Sequence, residues 1–361
     1  MEMEAETLKR DRPREAVVPR MKKEITPSEQ QWMALAAAEA LAAREKAMAE
    51  EKDKPPTDFL AVQAAEFRKS WTRLWSDHFG DFEDTTKIPP MRFTDNPAPP
   101  YTAFRYQTLQ IFSVKVAGVR GGLQWPLHVF GTVALRDAVD RNRNIIFNRK
   151  RDNCQTLTQE DPNLALTGPT RAVVMLHPVT FEVELTVKGN TESEDKDLSY
   201  LAVPLMHRSP FDSCLLISDY TSKLSTLEFT HAHLFYSVEA TISVRVIGGS
   251  WHGYRSQFFA CTVSINQEVL LLDSGNEEVP VAGDGDIELS RKVASVEFKG
   301  NLKVFVKAWH GDNFFVKKEM VFTPKEAGRS HGILNVGFCK MKVTVAWSLI
   351  SCDHNPTKSL V

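Results

Sequence analysis

His231 and His233 stand one residue apart in a stretch that reads as a strand, so both imidazoles project to one side, as two ligands of a metal site would. No Cys-x-x-Cys pair accompanies them, and His207 is the first further ligand to test. The pair is read first as solvated or hydrogen-bonded histidines on a β surface and second as metal ligands. Asp284, Gly285 and Asp286 place two carboxylates on a glycine-rich turn, but the oxygen ladder that calcium needs is missing. A hairpin turn using Gly283 and Gly285 accounts for the same residues. Arg141, Arg143, Arg149, Lys150 and Arg151, with Phe147 interleaved, form the most charged internal stretch and are the candidates for gripping RNA or an acidic protein. Asp137, Asp140 and Asp152 dilute that charge.

Gly248, Gly249 and Ser250 run into Trp251 and His252, so no Gly-x-Ser-x-Gly elbow forms. A phosphate loop and a dinucleotide fingerprint are also missing, and no cofactor is expected. Catalytic groups can still assemble from distant positions, which keeps open a hydrolase or glycosidase-like enzyme using His231, His233 or carboxylates in a cleft.

Acidic residues number 46 against 44 Lys plus Arg, so the chain as a whole exerts no long-range pull on phosphate. Hydrophobic residues at 42% and charged residues at 25% are those of a globular protein. No run approaches the roughly 18 apolar residues of a membrane span, and the charged N-terminus has no secretory apolar stretch. The expected location is cytoplasmic or nuclear, without a membrane partner. Cys154, Cys214, Cys261, Cys339 and Cys352 are odd in number, which suits reduced thiols.

Residues 1–25 have little to bury and are expected to be disordered. Residues 26–100 read as a helical arm and a proline-rich strap. Thr26, Pro27 and Glu29 make a capping-box start for one helix, ended by Pro55 and Pro56, and Asp58 caps a second. In that second helix Leu60, Ala64, Phe67, Trp71, Leu74 and His78 recur at three- and four-residue steps, a stripe expected to dock on the rest of the chain. The strap, with Pro89, Pro90, Pro97, Pro99 and Pro100, is expected to act as a hinge.

Beyond Tyr106 the period becomes two. Val179, Phe181, Val183, Leu185 and Val187 alternate with polar residues, as do the sets starting at Val238, Leu302 and Met341. Ile111–Leu135 and Thr241–Ile265 share a strand, a glycine-rich turn, a tryptophan and a second strand. Val114, Val116, Gly118 and Val133 align with Val244, Val246, Gly248 and Val263, and Trp125 aligns with Trp251 across a gap. The tryptophans are expected to pack in cores. The expected fold is mainly β, a duplicated antiparallel sandwich-like body with an N-terminal helical arm. Repeat 1 is placed at 101–190, a connection that includes the charged run from Asn190 at 191–233, and repeat 2 at 234–352.

The strings EDTTKIPPMRF, LQIFSVKVAG, RDAVDRNRNIIFNR, CQTLT, LALTGPTRAVV and VPVAGDGDIELSRKV resemble a plant family, numerous in cereal grasses, known only as a domain of unknown function. The resemblance covers about 67–351 and implies a role in stress or defence. With no chemical signature in the chain, the preferred expectation is a non-enzymatic interaction module or scaffold. In this reading its partner is another protein and the arm assists capture; an RNA-associated factor is a further alternative.

Overall fold

The computed structural model describes residues 58–205, 212–310 and 313–352. The expected disordered N-terminus, the helix from Thr26 and His207 lie outside them. Helix α1, Phe59–Phe79, starts where the Asp58 carboxylate accepts the Ala61 N–H at 3.3 Å. It stops at Gly80, whose φ of 88° takes the chain out of the helix.

The strands follow in order. The first group is β1 (Tyr106–Val119), β2 (Leu127–Arg136), β3 (Asn144–Arg149), β4 (Gln155–Leu157), β5 (Val173–Val174), β6 (Val179–Val187), β7 (Lys196–Leu205) and β8 (Cys214–Thr221). The second is β9 (Ser225–Gly249), β10 (Tyr254–Thr262), β11 (Gln267–Asp273), β12 (Val293–Glu297), β13 (Leu302–His310), β14 (Asn313–Phe322), β15 (Arg329–Asn335) and β16 (Cys339–Ser348).

The body is a duplicated antiparallel sandwich. In the first copy, β8, the first half of β9, β1 and β5 form one layer, and β3, β2, β6 and β7 form the other, with β4 added to β2. In the second, β15, β16, the second half of β9 and β12 repeat the first layer, and β11, β10, β13 and β14 repeat the second. Each pairing of the first copy, apart from that of β4, recurs in the second between strands of the same rank. The copies share β9, which is continuous, so their first layers merge into one seven-stranded sheet. Both lie in one compact unit, Thr57–Val361.

The alternating pattern explains the two cores. Val179, Phe181, Val183 and Leu185 of β6 are buried in the first, and Leu302, Val304, Val306 and Ala308 of β13 occupy the same places in the second. β1 is buried on both faces over Thr108–Phe112: Leu109 and Ile111 enter the first core and Phe112 the second. Gly131 in β2 has φ 119°, and a Cβ there would collide with the Glu184 carbonyl.

Three expectations need correction. The stretch 191–233 is not a connection between copies, since it holds β7, β8 and the start of β9. The charged run from Asn190 is the turn between β6 and β7, closed by a capping box between Thr191 and Glu194. The copies change over inside β9, at a one-residue bulge where Tyr106 pairs with Ser237 but Thr108 with Leu234. Val133 does not correspond to Val263. It pairs with Val183 as Phe258 pairs with Val306, whereas Val263 lies past the end of β10 and is exposed.

The strap is not a hinge. Thr86 N–H donates to the Arg143 carbonyl, Met91 N–H to Glu239 Oε1 at 2.7 Å and Phe93 N–H to Ser348 Oγ at 3.1 Å, while the Thr94 hydroxyl donates to the Trp347 carbonyl at 2.9 Å. It therefore braces both copies. Helix α1 docks as expected on the first copy: Ala64 and Trp71 are buried, and Trp71 Nε1–H donates to the Arg141 carbonyl at 3.0 Å. Leu74 and His78 project into solvent.

Candidate functional site

Where the copies meet, a cleft of about 460 Å³ opens between two extended segments. One wall is β11, the outer strand of its sheet, which turns Glu268 and Leu270 outward while Val269 and Leu271 fill the second core. The other wall is the segment 161–167 of the first copy. Asp161, Asn163, Ala165 and Thr167 are exposed there and Leu164 and Leu166 are buried, the same alternation that makes a strand. Its backbone is held by Leu164 N–H to the Val114 carbonyl and Thr167 N–H to the Ile146 carbonyl. Phe112 and Phe259 give the cleft an apolar lining.

Arg291 lines the cleft and stitches the copies together. It is 2% exposed, and its guanidinium donates to the carbonyls of Gly168 (2.8 Å), Ile111 (2.7 Å) and Phe112 (3.4 Å). Burial pushes this guanidinium down to about 10, because no carboxylate offsets its desolvation. Glu268 is ion-paired to Lys307 at 3.2 Å and Asp273 accepts from the Gln257 amide at 2.7 Å, so these two carboxylates are already engaged.

The five basic candidates do not form one patch. Arg143 is buried and bonded to Glu182, which also takes Arg136 Nε at 2.5 Å. Arg151 grips Asp195 with two nitrogens, at 2.9 and 3.1 Å. The Arg141 guanidinium lies 4.9 Å from the centre of the Trp75 ring. Lys150 is exposed, and Arg149 alone of the five lines the cleft. β3 runs between Arg143 and Arg149, separating them by about 20 Å.

His231 and His233 are 2% and 0% exposed. They are not surface side chains: the second layer covers them, and the Phe181 ring of β6 stands 6.3 Å from His231, whose Nε2 is 3.2 Å from Ser218 Oγ. Among the described residues no group of three or more His, Cys, Asp or Glu is arranged to hold a metal ion. Asp284 and Asp286 both face Arg245, at 3.1 and 2.5 Å, on a turn in which Gly285 has φ 91°. Trp251 is buried in the second core, and Trp125 packs half-buried against the first.

Composition and motif reading missed a buried polar cluster under the strap. Arg171 holds Asp137 with two nitrogens at 2.7 and 2.9 Å and reaches Asp140 at 3.0 Å. Burial alone would raise the Asp137 carboxyl. The Arg171 charge and the N–H groups of Val174 and Val139 outweigh it and hold the group below its usual range. Glu239 accepts the N–H groups of Met91 and Ala172, yet burial raises its pKa. The partners come from separate elements, so no local spacing announces them.

No curated protein matches this chain. Among solved structures, human GIVD cytosolic phospholipase A2 is similar over 69% of this chain at 8% identity and a TM-score of 0.24, and this chain spans 31% of that protein's length. The paired C2 domains of extended-synaptotagmin 2 are similar over 74% of this chain and 100% of theirs, at 9% identity and a TM-score of 0.23. At such TM-scores neither likeness bears on fold or activity. The family model described as domain of unknown function (DUF6598) matches residues 108–345, from β1 into β16 and so across both copies, and the chain belongs to that family.

Proposed function

We propose that the chain is a non-enzymatic interaction module that receives an extended segment of another protein in the cleft between its sandwiches. The observation that carries this reading is the pairing of an outer strand, β11, with a facing extended segment across about 460 Å³ of mixed apolar and charged lining. A guest strand there gains main-chain bonds from a sheet edge and side-chain pockets on alternate residues. Leu270 and Phe259 would take apolar side chains of the guest, and Arg149 and Asp161 would fix its direction through charge.

All five cysteines are free thiols, which supports a reducing compartment, the cytoplasm or nucleus. A plant origin and a role in stress or defence rest on the motif resemblance alone.

Selection of displayed random peptides against the full chain tests the reading. Selected peptides should protect the amides of β11 and 161–167 from hydrogen exchange, and Leu270→Glu should abolish binding. Protection elsewhere, or binding indifferent to Leu270→Glu, would contradict it.

A further inference from the structure

At the bulge of β9, away from the cleft, a separate pocket of about 540 Å³ is lined by Arg105, Phe235, Tyr236, Glu297 and Lys299. Tyr236 has φ 55°, a left-handed backbone that a bulky residue rarely adopts, and the residue is 45% exposed. The bulge turns an aromatic side chain out of the sheet at the place where β9 leaves one copy for the other.

Arg105 packs beside it. Its guanidinium lies 3.6 Å from the centre of the Phe298 ring and 5.4 Å from that of Tyr236, and Nη2 meets Glu326 at 2.5 Å. Its Nε is buried without a hydrogen-bond partner, a donor left unmet inside a wall that also carries rings. Lys299 is exposed and has no ion pair among the described residues. The Glu297 carboxylate in the lining is occupied by the Ser213 hydroxyl. With Arg105 paired to Glu326, Lys299 is the lining cation left without an ion pair among the described residues, beside an aromatic surface.

We propose that this pocket binds a small aromatic anion, an aryl carboxylate whose ring lies against Tyr236 and whose oxygens accept from the Lys299 ammonium. Ring stacking and a charge-assisted hydrogen bond are both needed, so neither a neutral aryl alcohol nor a bare anion satisfies the site.

Titration of the full chain with 1-naphthoate, 1-naphthalenemethanol and inorganic phosphate, followed by NMR, tests this. Naphthoate should shift the signals of Tyr236 and Lys299 and saturate, with the alcohol weaker by about tenfold or more and phosphate not saturating. Tyr236→Gly relieves the left-handed backbone, so it should fold at least as stably while weakening naphthoate by about tenfold. Lys299→Glu should weaken it by a similar factor, and Leu270→Glu, in the cleft, should leave it unchanged. Absent binding, wild-type affinity in both pocket variants, or loss in Leu270→Glu would overturn the proposal.

Discussion

The two sandwiches differ most on the outer face of their second layers. Strand pairing sets Arg136 and Glu182 of the first copy against Cys261 and Phe305 of the second. In the first copy the face is ionic: Glu182 pairs with both Arg136 and Arg143, Phe82 of the strap stacks on Arg136 at 4.1 Å, and α1 packs above. In the second it is apolar. Phe259, Cys261 and Phe305 form their own small cluster, roofed by Lys307 at 4.4 Å from Phe259 and Lys317 at 4.5 Å from Phe305. Inward positions stayed alike after duplication because each must fill a core, while outward positions were free to take on separate tasks. One copy seats the helix, the strap crosses both, and the other copy presents β11 to the cleft.

The largest test of that contrast is Glu182→Ala, which strands two buried guanidinium groups. It should cost about 3–5 kcal/mol in urea unfolding. The matched Phe305→Leu in the second copy keeps an apolar side chain in place and should cost less than about 1.5 kcal/mol. Equal losses would erase the distinction.

Acid separates the copies next. The folded Asp137 carboxyl titrates below its ordinary value of 3.8, so its contribution is complete above that pH and is lost as pH falls through the folded value. The corresponding residue of the second copy is Thr262, which does not titrate and donates to the Ser295 carbonyl at 3.2 Å. Stability should therefore drop below about pH 3.8, and Asp137→Asn should flatten that part of the profile. An unchanged profile in Asp137→Asn would remove the assignment.

The smallest expected effect belongs to the strap. Thr94→Val keeps the shape but deletes the bond to the Trp347 carbonyl, for a loss of about 0.5–1.5 kcal/mol in thermal or urea unfolding. No loss would mean that the strap merely lies on the second copy.

Much of this architecture was legible because period-two alternation reports burial directly. Val179–Val187, Leu302–Ala308 and the sets from Val238 and Met341 all lie in strands, and the stripe of α1 docks through Ala64 and Trp71, while its end at Leu74 and His78 does not. The cleft was not legible, since its walls come from 161–167 and β11, far apart in the chain. β1 and the first half of β9 hid their roles for a different reason. Thr108–Phe112 and His231–Leu234 are buried on both faces, which cancels the alternation. The basic stretch misled because composition counts charges without their partners, and Glu182 and Asp195 lie more than thirty residues from the arginines they pair with.

Hydrogen exchange along β9 in the full chain tests the shared strand most directly. Slow exchange of the strand-paired amides on both sides of Phe235–Tyr236, lost together in a single unfolding transition, is the result predicted for one continuous strand serving both sandwiches. Persistent protection of 225–234 while 237–249 exchanges freely, or the reverse, would show two independent units and contradict it.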